Sequence, residues 1–357
     1  MENTAQTITR RKRTSMDLEK LKSLRVAPKH QNDTEGFRET QSFSRGKLPV
    51  VLQPANGNAD LASVAGAHKD FVGSKLIEHG AVLFRGFDTG SVSAFDKFTR
   101  SICSDLFVEN GEHPRENITG SVYTPVFFSP ERKLLWHNEN TFNYCWPQKI
   151  WFCCVQPAEH GGETPIVDSR KVFECMDSAI LERFMRHGVM YVRNYGDGPG
   201  LSWQQVFRTS DRAEVEKYCR ENLIEFEWKD RDRLRTRSTR PAAIPHPVTG
   251  EYCWINQAQH WHLSCLDDQT REALLAVFAE EDLPRTCYYG DGSSIADEDM
   301  RSICQLYNQL EVSFPWQSGD VLMVDNISTA HARNAFSGDR KLLVAMGELR
   351  SYADFSN

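Results

Sequence analysis

The chain has 357 residues, 40% of them hydrophobic and 25% charged, with a net charge of -7, so it can bury a substantial core in one large domain or two small ones. The acidic balance argues against nucleic acid as a partner. No apolar run approaches the roughly 20 residues that span a bilayer, and the N-terminus lacks the apolar stretch of a secretory leader. Ten cysteines with no C-x-x-C pair read as reduced, mostly buried thiols, so a cytoplasmic location is expected.

Residues 1–43 are polar, carry the run Arg10-Arg11-Lys12-Arg13 and show no sustained apolar period. They are expected to form a flexible tail ahead of one domain over 44–357. Leu48 to Leu52 reads as a first strand. A helix over Ala62 to His79 should end at Gly80, followed by a strand at Ala81 to Phe87 and a helix at Ser93 to Ser104. Gly120 to Val167 is rich in aromatic and β-branched residues with Pro/Gly punctuation, the pattern of strands. Ser169 to His187 and Asp211 to Asn222 read as helices. Trp254 to Leu263 reads as a strand entering a loop, and Asp268 to Glu280 as an amphipathic helix. Asp320 to Asp325 and Lys341 to Leu349 close the chain as strands. Strands at both ends with helices between predict one antiparallel sandwich with helical insertions. His331 and Arg340 are then expected on neighbouring strands around a tight turn at Ser337-Gly338-Asp339.

The most informative residues are Trp136-His137-Asn138-Glu139 and, far along the chain, Asp325 to His331 followed by Arg340. Two imidazoles and one carboxylate form the facial triad of a non-haem Fe(II) site, which leaves coordination positions open for a co-substrate and O₂. On a strand, residues i and i+2 share a face, so His137 and Glu139 are expected to grip one ion from one strand. An α-keto dicarboxylate chelating that ion needs a cation at its far end, best supplied by a guanidinium. Arg340 stands where that cation is needed. Thr164, in Gly161-Gly162-Glu163-Thr164-Pro165, offers a hydroxyl to the same carboxylate.

The ordered set His137-x-Glu139, Gly161-Gly162-Glu163-Thr164, and His331 with Arg340 resembles the taurine-dioxygenase-like branch of the Fe(II)/2-oxoglutarate oxygenases, over most of the chain from about Leu48. The resemblance implies a mainly β fold with a double-stranded β-helix (jelly-roll) core. It also implies an Fe(II) cofactor, 2-oxoglutarate and O₂ as co-substrates, and release of succinate and CO₂ coupled to substrate hydroxylation. Glu139 occupies the ligand position at which similar halogenases carry Ala or Gly, which favours hydroxylation over chlorination. Oxygenases of free acids in this branch commonly place a second Arg four residues beyond the first; here that position is Val344. The pattern Ala330-His331-x-Arg333-x-x-Phe336-x-Gly338-x-Arg340 is similar to the subgroup containing the syringomycin-pathway aspartyl β-hydroxylase. That likeness implies an amino-acid-like small-molecule substrate, either free or presented on a carrier protein. Desaturation or cyclisation by the same cofactor chemistry stays open, with a non-catalytic jelly-roll binding protein as a third reading, and so does the oligomeric state.

The candidate substrate contacts are Asn140, Asn256, His260 and Arg333, with Arg333 also the alternative cation for an acid group. Asn143 and Gln259 are further candidates. His260 and His262 offer a second metal pair as a minor alternative. Trp136 is expected in the core beside the metal. Asp325 is expected either to orient a ligand histidine or to shape a turn. The dense charge of Asp230 to Arg237 reads as a solvated loop, with a lid or carrier-docking surface as the alternative.

Overall fold

The computed structural model describes residues 33–34, 36–40, 43, 48–57, 59–107, 117–196 and 200–355; the basic run Arg10 to Arg13 lies outside them. Among the described residues the strands form a nine-stranded, a three-stranded and a four-stranded sheet and two short ribbons, with helices packed on them. The fold is mixed α/β. At the centre of the largest sheet the long strands Cys145–Gln156 and Lys341–Ser351 pair antiparallel. Val321–Asp325, fully buried along its length, runs between Cys145–Gln156 and Ala81–Phe84, so it reads as a continuous apolar run rather than an alternating one.

Two details depart from the sequence expectation at the N-terminal end. Phe37–Thr40 is a strand paired with Val50–Pro54, and Phe37 is fully buried, although it falls within the stretch expected as tail. Val50–Pro54 and Ala81–Phe84 pair in parallel, not antiparallel, because a helical crossover joins them. That crossover is two helices rather than one, Leu61–Ala67 and Lys69–His79, broken at His68. Gly80 does end the second helix, with φ 77°. A Cβ there would lie 2.3 Å from Thr329 Oγ1, so glycine also lets this helix end abut the strand that carries His331.

The smaller sheets differ more from expectation. His331 and Arg340 are not on neighbouring strands. Thr329–Arg333 is the middle strand of the three-stranded sheet, between Ile166–Asp168 and Leu134–His137. Arg340 instead directly precedes a strand of the nine-stranded sheet. Between them the short strand Phe336–Ser337 pairs with His160–Gly161, which lengthens the expected tight turn. The insertion carries its own antiparallel sheet of Glu225–Lys229, Arg233–Arg240, Val189–Tyr195 and Arg285–Tyr289. Part of the charged stretch expected as loop is therefore a strand: Leu234 and Thr236 are buried while Arg233, Arg235 and Arg237 are only partly buried. The strand at Trp254 covers only Tyr252–Trp254, and Ala258–Trp261 is a short helix. Asp268–Val277 is helical as expected, capped by Asp267, but buries none of its residues.

Candidate metal centre

Strand register places the two histidines. His331 stands directly opposite His137 across the pair Thr329–Arg333 and Leu134–His137, and their ring centroids are 4.3 Å apart. Glu139 does not share that strand. The strand ends at His137, and Glu139 lies in the following turn, so the two ligands converge through a turn rather than through strand alternation. Asn326 holds that turn. Its Oδ1 accepts from the Glu139 N–H at 2.6 Å, and its Nδ2 donates to the Glu139 carbonyl at 3.0 Å and to Pro147 O at 2.8 Å. Asn138 in turn donates to the Asn326 carbonyl at 2.7 Å.

The resulting cluster fits one metal ion. The Glu139 carboxylate lies 3.9 Å from Nε2 of each histidine, and the three ligand atoms lie within 4.8 Å of one another. Two atoms that hold one ion at about 2.1 Å each can be no more than about 4.2 Å apart, so both carboxylate–imidazole separations already meet that bound. The His137 tautomer also fits. Its Nδ1 lies 2.9 Å from Leu135 O; a carbonyl only accepts, so Nδ1 carries the proton and Nε2 presents its lone pair to the ion. Phe152, from the nine-stranded sheet, packs its ring on His331 at 5.0 Å and closes the site from the opposite side.

The three ligands line a cavity of about 70 Å³ together with Thr164, Arg333, Arg340, Leu342 and Val344. Among the described residues the hydrogen bond of Arg340 is Nε to Gly162 O at 2.9 Å, and its guanidinium faces the Phe336 ring. Burial, reinforced by the nearby Arg333, pulls its pKa down to about 10, with Cys154 and Glu163 opposing; it remains a cation at neutral pH. A buried guanidinium without a bonded carboxylate is costly unless an anion joins it. The cavity therefore fits the distal carboxylate of a chelating keto acid. Gly162 makes this packing possible, since a Cβ there would lie 3.0 Å from Arg340 Cδ and Nε. Thr164 Oγ1 accepts from Trp316 Nε1 at 3.2 Å, which leaves the hydroxyl proton for a carboxylate.

The candidate substrate contacts separate. His260 packs edge-on against His137 with centroids 4.8 Å apart, and its Nε2 donates to the same Leu135 carbonyl at 2.8 Å. Burial and the neighbouring His137 lower its pKa to about 3. Arg333 lines the cavity, but its guanidinium donates to the carbonyls of Phe128 (2.9 Å) and Arg132 (2.6 Å) and also of Ser129. Asn256 is buried away from it, with Nδ2 on Ala242 O at 3.1 Å and Oδ1 accepting from Ala258 N at 3.0 Å. Asn140 is buried with φ 61° and does not line the cavity; Asn143 bonds back to its carbonyl at 2.9 Å. Gln259 donates to the Trp136 carbonyl. The second metal pair does not form: His262 faces Ile295 O and Ser264. Asp325 shapes the turn through Ile327 N at 2.9 Å and bonds His246 at 2.9 Å, so it orients no ligand histidine. Trp136 packs in the core on Tyr307.

Sequence reasoning missed Asn326, the Leu135 carbonyl and Trp316. Asn326 lies within the quoted Asp325 to His331 segment, but a lone Asn beside a turn-forming Asp carries no signal of a partner 187 residues away.

Two imidazoles and a carboxylate beside a buried arginine, on a mixed α/β fold, fit a non-haem metal site with room for an anionic co-substrate. Comparison with known proteins supplies the family. Residues 47–346 match the taurine catabolism dioxygenase TauD, TfdA family, and the chain belongs to it; it is an Fe(II)- and 2-oxoglutarate-dependent dioxygenase. It is 38% identical over 272 residues to the dapdiamide synthesis protein DdaC of Enterobacter agglomerans, covering 76% of this chain and 83% of that one. It is 27% identical over 327 residues to a clavaminate synthase-like protein of Arabidopsis thaliana, covering 86% and 96%. PvcB of Pseudomonas aeruginosa shares the fold, with a TM-score of 0.55 at 14% identity over 90% of this chain and 93% of that one. Among the described residues no helix is long and apolar enough to cross a membrane.

Proposed function

We propose that the chain hydroxylates an amino acid or amino-acid-derived substrate in secondary metabolism, and that its two sheets facing across the metal site are a jelly-roll core. His137, Glu139 and His331 hold Fe(II), while Arg340 and Thr164 hold the C5 carboxylate of 2-oxoglutarate. The bound iron supplies O₂ activation coupled to decarboxylation of the keto acid. The protein fixes the His137 tautomer through Leu135, holds Glu139 through Asn326, and walls the site with Phe152, Leu342 and Val344 to keep bulk water out. The observation that carries this reading is one cavity shared by the triad, Thr164 and Arg340. The similarity to a protein named for dapdiamide synthesis supports a biosynthetic role.

The carboxyl of the substrate is masked at the reacting end, as in a thioester on a carrier protein. Val344 gives the cavity an apolar wall, and the two terminal nitrogens of Arg333 are turned onto the backbone carbonyls of Phe128, Ser129 and Arg132. A free carboxylate beside the metal would find no guanidinium nitrogen pair turned toward it from Arg333, and a charge without a bonded partner in such a site is costly. The test loads the protein anaerobically with Fe(II) and 2-oxoglutarate, admits O₂, and follows succinate and product mass for free amino acids and their carrier thioesters. Product one oxygen heavier from the masked form supports the proposal. Turnover of the free acid alone would remove the masked-carboxyl element and leave the oxygenase intact.

A further inference from the structure

The metal cavity, at about 70 Å³, is far below the roughly 300–1,000 Å³ of ordinary small-molecule sites. A second cavity of about 760 Å³ falls in that range. It is built by the insertion sheet and the Asp268–Val277 helix, and His260 lies in its wall. Because the His260 ring packs on His137, one imidazole separates the large cavity from a metal ligand.

The large cavity is basic. Arg193, Lys229, Arg231, Arg233 and Arg285 line it. Two acidic residues share the wall: Asp230, and Asp282, which is engaged by Lys229 at 3.4 Å and by Arg235 at 2.9 Å, so the arginines carry the excess positive charge. Arg193 and Arg285 lie over the Tyr195 and Trp261 rings, an arrangement that orients planar guanidinium groups. Arg231 and Asp232 are consecutive non-glycine residues in the left-handed region, with φ 58° and 62°. Such strain persists only where the surroundings impose it. Here Gln204 bonds the Asp232 carboxylate at 3.1 Å, Arg212 pairs with it, and Trp203 bonds its carbonyl at 3.0 Å. The anchored Asp232 holds the turn that puts Arg231 on the cavity wall.

We infer that this basic cavity binds an anionic group, a phosphate or carboxylate, on the part of the substrate remote from the reacting carbon. The inference rests on the oxygenase reading above and adds the substrate class: an elongated molecule, neutral where it reacts and anionic where it is anchored. A phosphopantetheine arm and a free carboxylated metabolite both meet that description, and the experiment separates them.

The test measures binding under argon to the Fe(II)- and 2-oxoglutarate-loaded enzyme, comparing 4′-phosphopantetheine with pantetheine and the monoamide of adipic acid with adipamide. Arg231→Asn combined with Arg233→Gln removes two charges, and Asn tolerates the left-handed backbone at 231. Affinity for 2-oxoglutarate in the same samples reports that the fold persists. We expect one anion to bind about tenfold or more tighter than its neutral partner, the scale of one charge-assisted hydrogen bond, and the double variant to abolish that gap. A phosphate preference assigns the carrier arm; a carboxylate preference assigns a free metabolite. No preference for either anion, or a preference that survives the double variant, overturns the inference. Failure of the wild-type protein to release succinate under O₂ would instead count against the oxygenase reading.

Discussion

The Leu135 carbonyl oxygen accepts from His137 Nδ1 at 2.9 Å, and the same oxygen takes His260 Nε2 at 2.8 Å. One backbone atom thus sets the tautomer of a proposed metal ligand and the orientation of the ring packed on it. A side-chain mutation at 135 leaves that acceptor in place, so the bond is best probed from the imidazole side. In His260→Phe a ring still packs on His137, but the second hydrogen bond to Leu135 is lost. We expect Fe(II) affinity to fall only severalfold, because the His137 bond persists and one neutral hydrogen bond is worth about 1 kcal/mol. Anaerobic metal titration checks this, and a collapse to no binding would make His260 a ligand.

Arg340→Ala should weaken 2-oxoglutarate binding by roughly 2–5 kcal/mol, the cost of removing one partner from a buried charge pair. Arg340→Lys should recover part of that loss, since an ammonium cannot reproduce the guanidinium fork. Thr164→Val should cost less, about 1 kcal/mol. Calorimetric titration of the Fe(II)-loaded protein with 2-oxoglutarate ranks the three.

Arg333→Gln discriminates between the two arginines of the cavity. Its guanidinium ties down Phe128, Ser129 and Arg132, so its loss should lower the thermal midpoint through that segment. Affinity for 2-oxoglutarate should stay within a few fold. A loss as large as that of Arg340→Ala would transfer the carboxylate contact to Arg333.

Asn326→Ala removes an amide that satisfies three backbone groups. Each buried group left unpaired costs about 1–3 kcal/mol, so chemical denaturation should show a loss of several kcal/mol. Fe(II) affinity should fall with it, because Glu139 is no longer held. Asn326→Asp retains the acceptor for the Glu139 N–H but opposes two carbonyls with a carboxylate, so it should rescue neither property. Full stability in either variant would remove Asn326 from the positioning role.

The sequence made much of this site legible because its chemistry concentrates in few residue types. His137, Glu139, His331, Thr164 and Arg340 were selected by what a metal and a dicarboxylate require, and they line one cavity. The routes by which they meet were less legible. Glu139 arrives by a turn held by an amide 187 residues away, and His331 and Arg340 belong to different sheets rather than one hairpin. Long-range backbone bonds leave no periodic trace. The stretch around Arg233 to Arg240 shows the opposite failure: its period-2 burial is present at Leu234 and Thr236, but arginine at the intervening positions masks a strand as solvated loop. Asn256 drew attention as a polar group near a cavity, yet its amide is spent on local backbone.

We propose that His137, Glu139 and His331 together hold one Fe(II). Anaerobic Fe(II) titration of the wild type beside His331→Ala and Glu139→Ala tests it most directly, with stoichiometry as the readout. One ion per chain is expected in the wild type, with loss of tight binding in both variants, each with a native-like circular dichroism spectrum. Full stoichiometry with unchanged affinity in His331→Ala would contradict it.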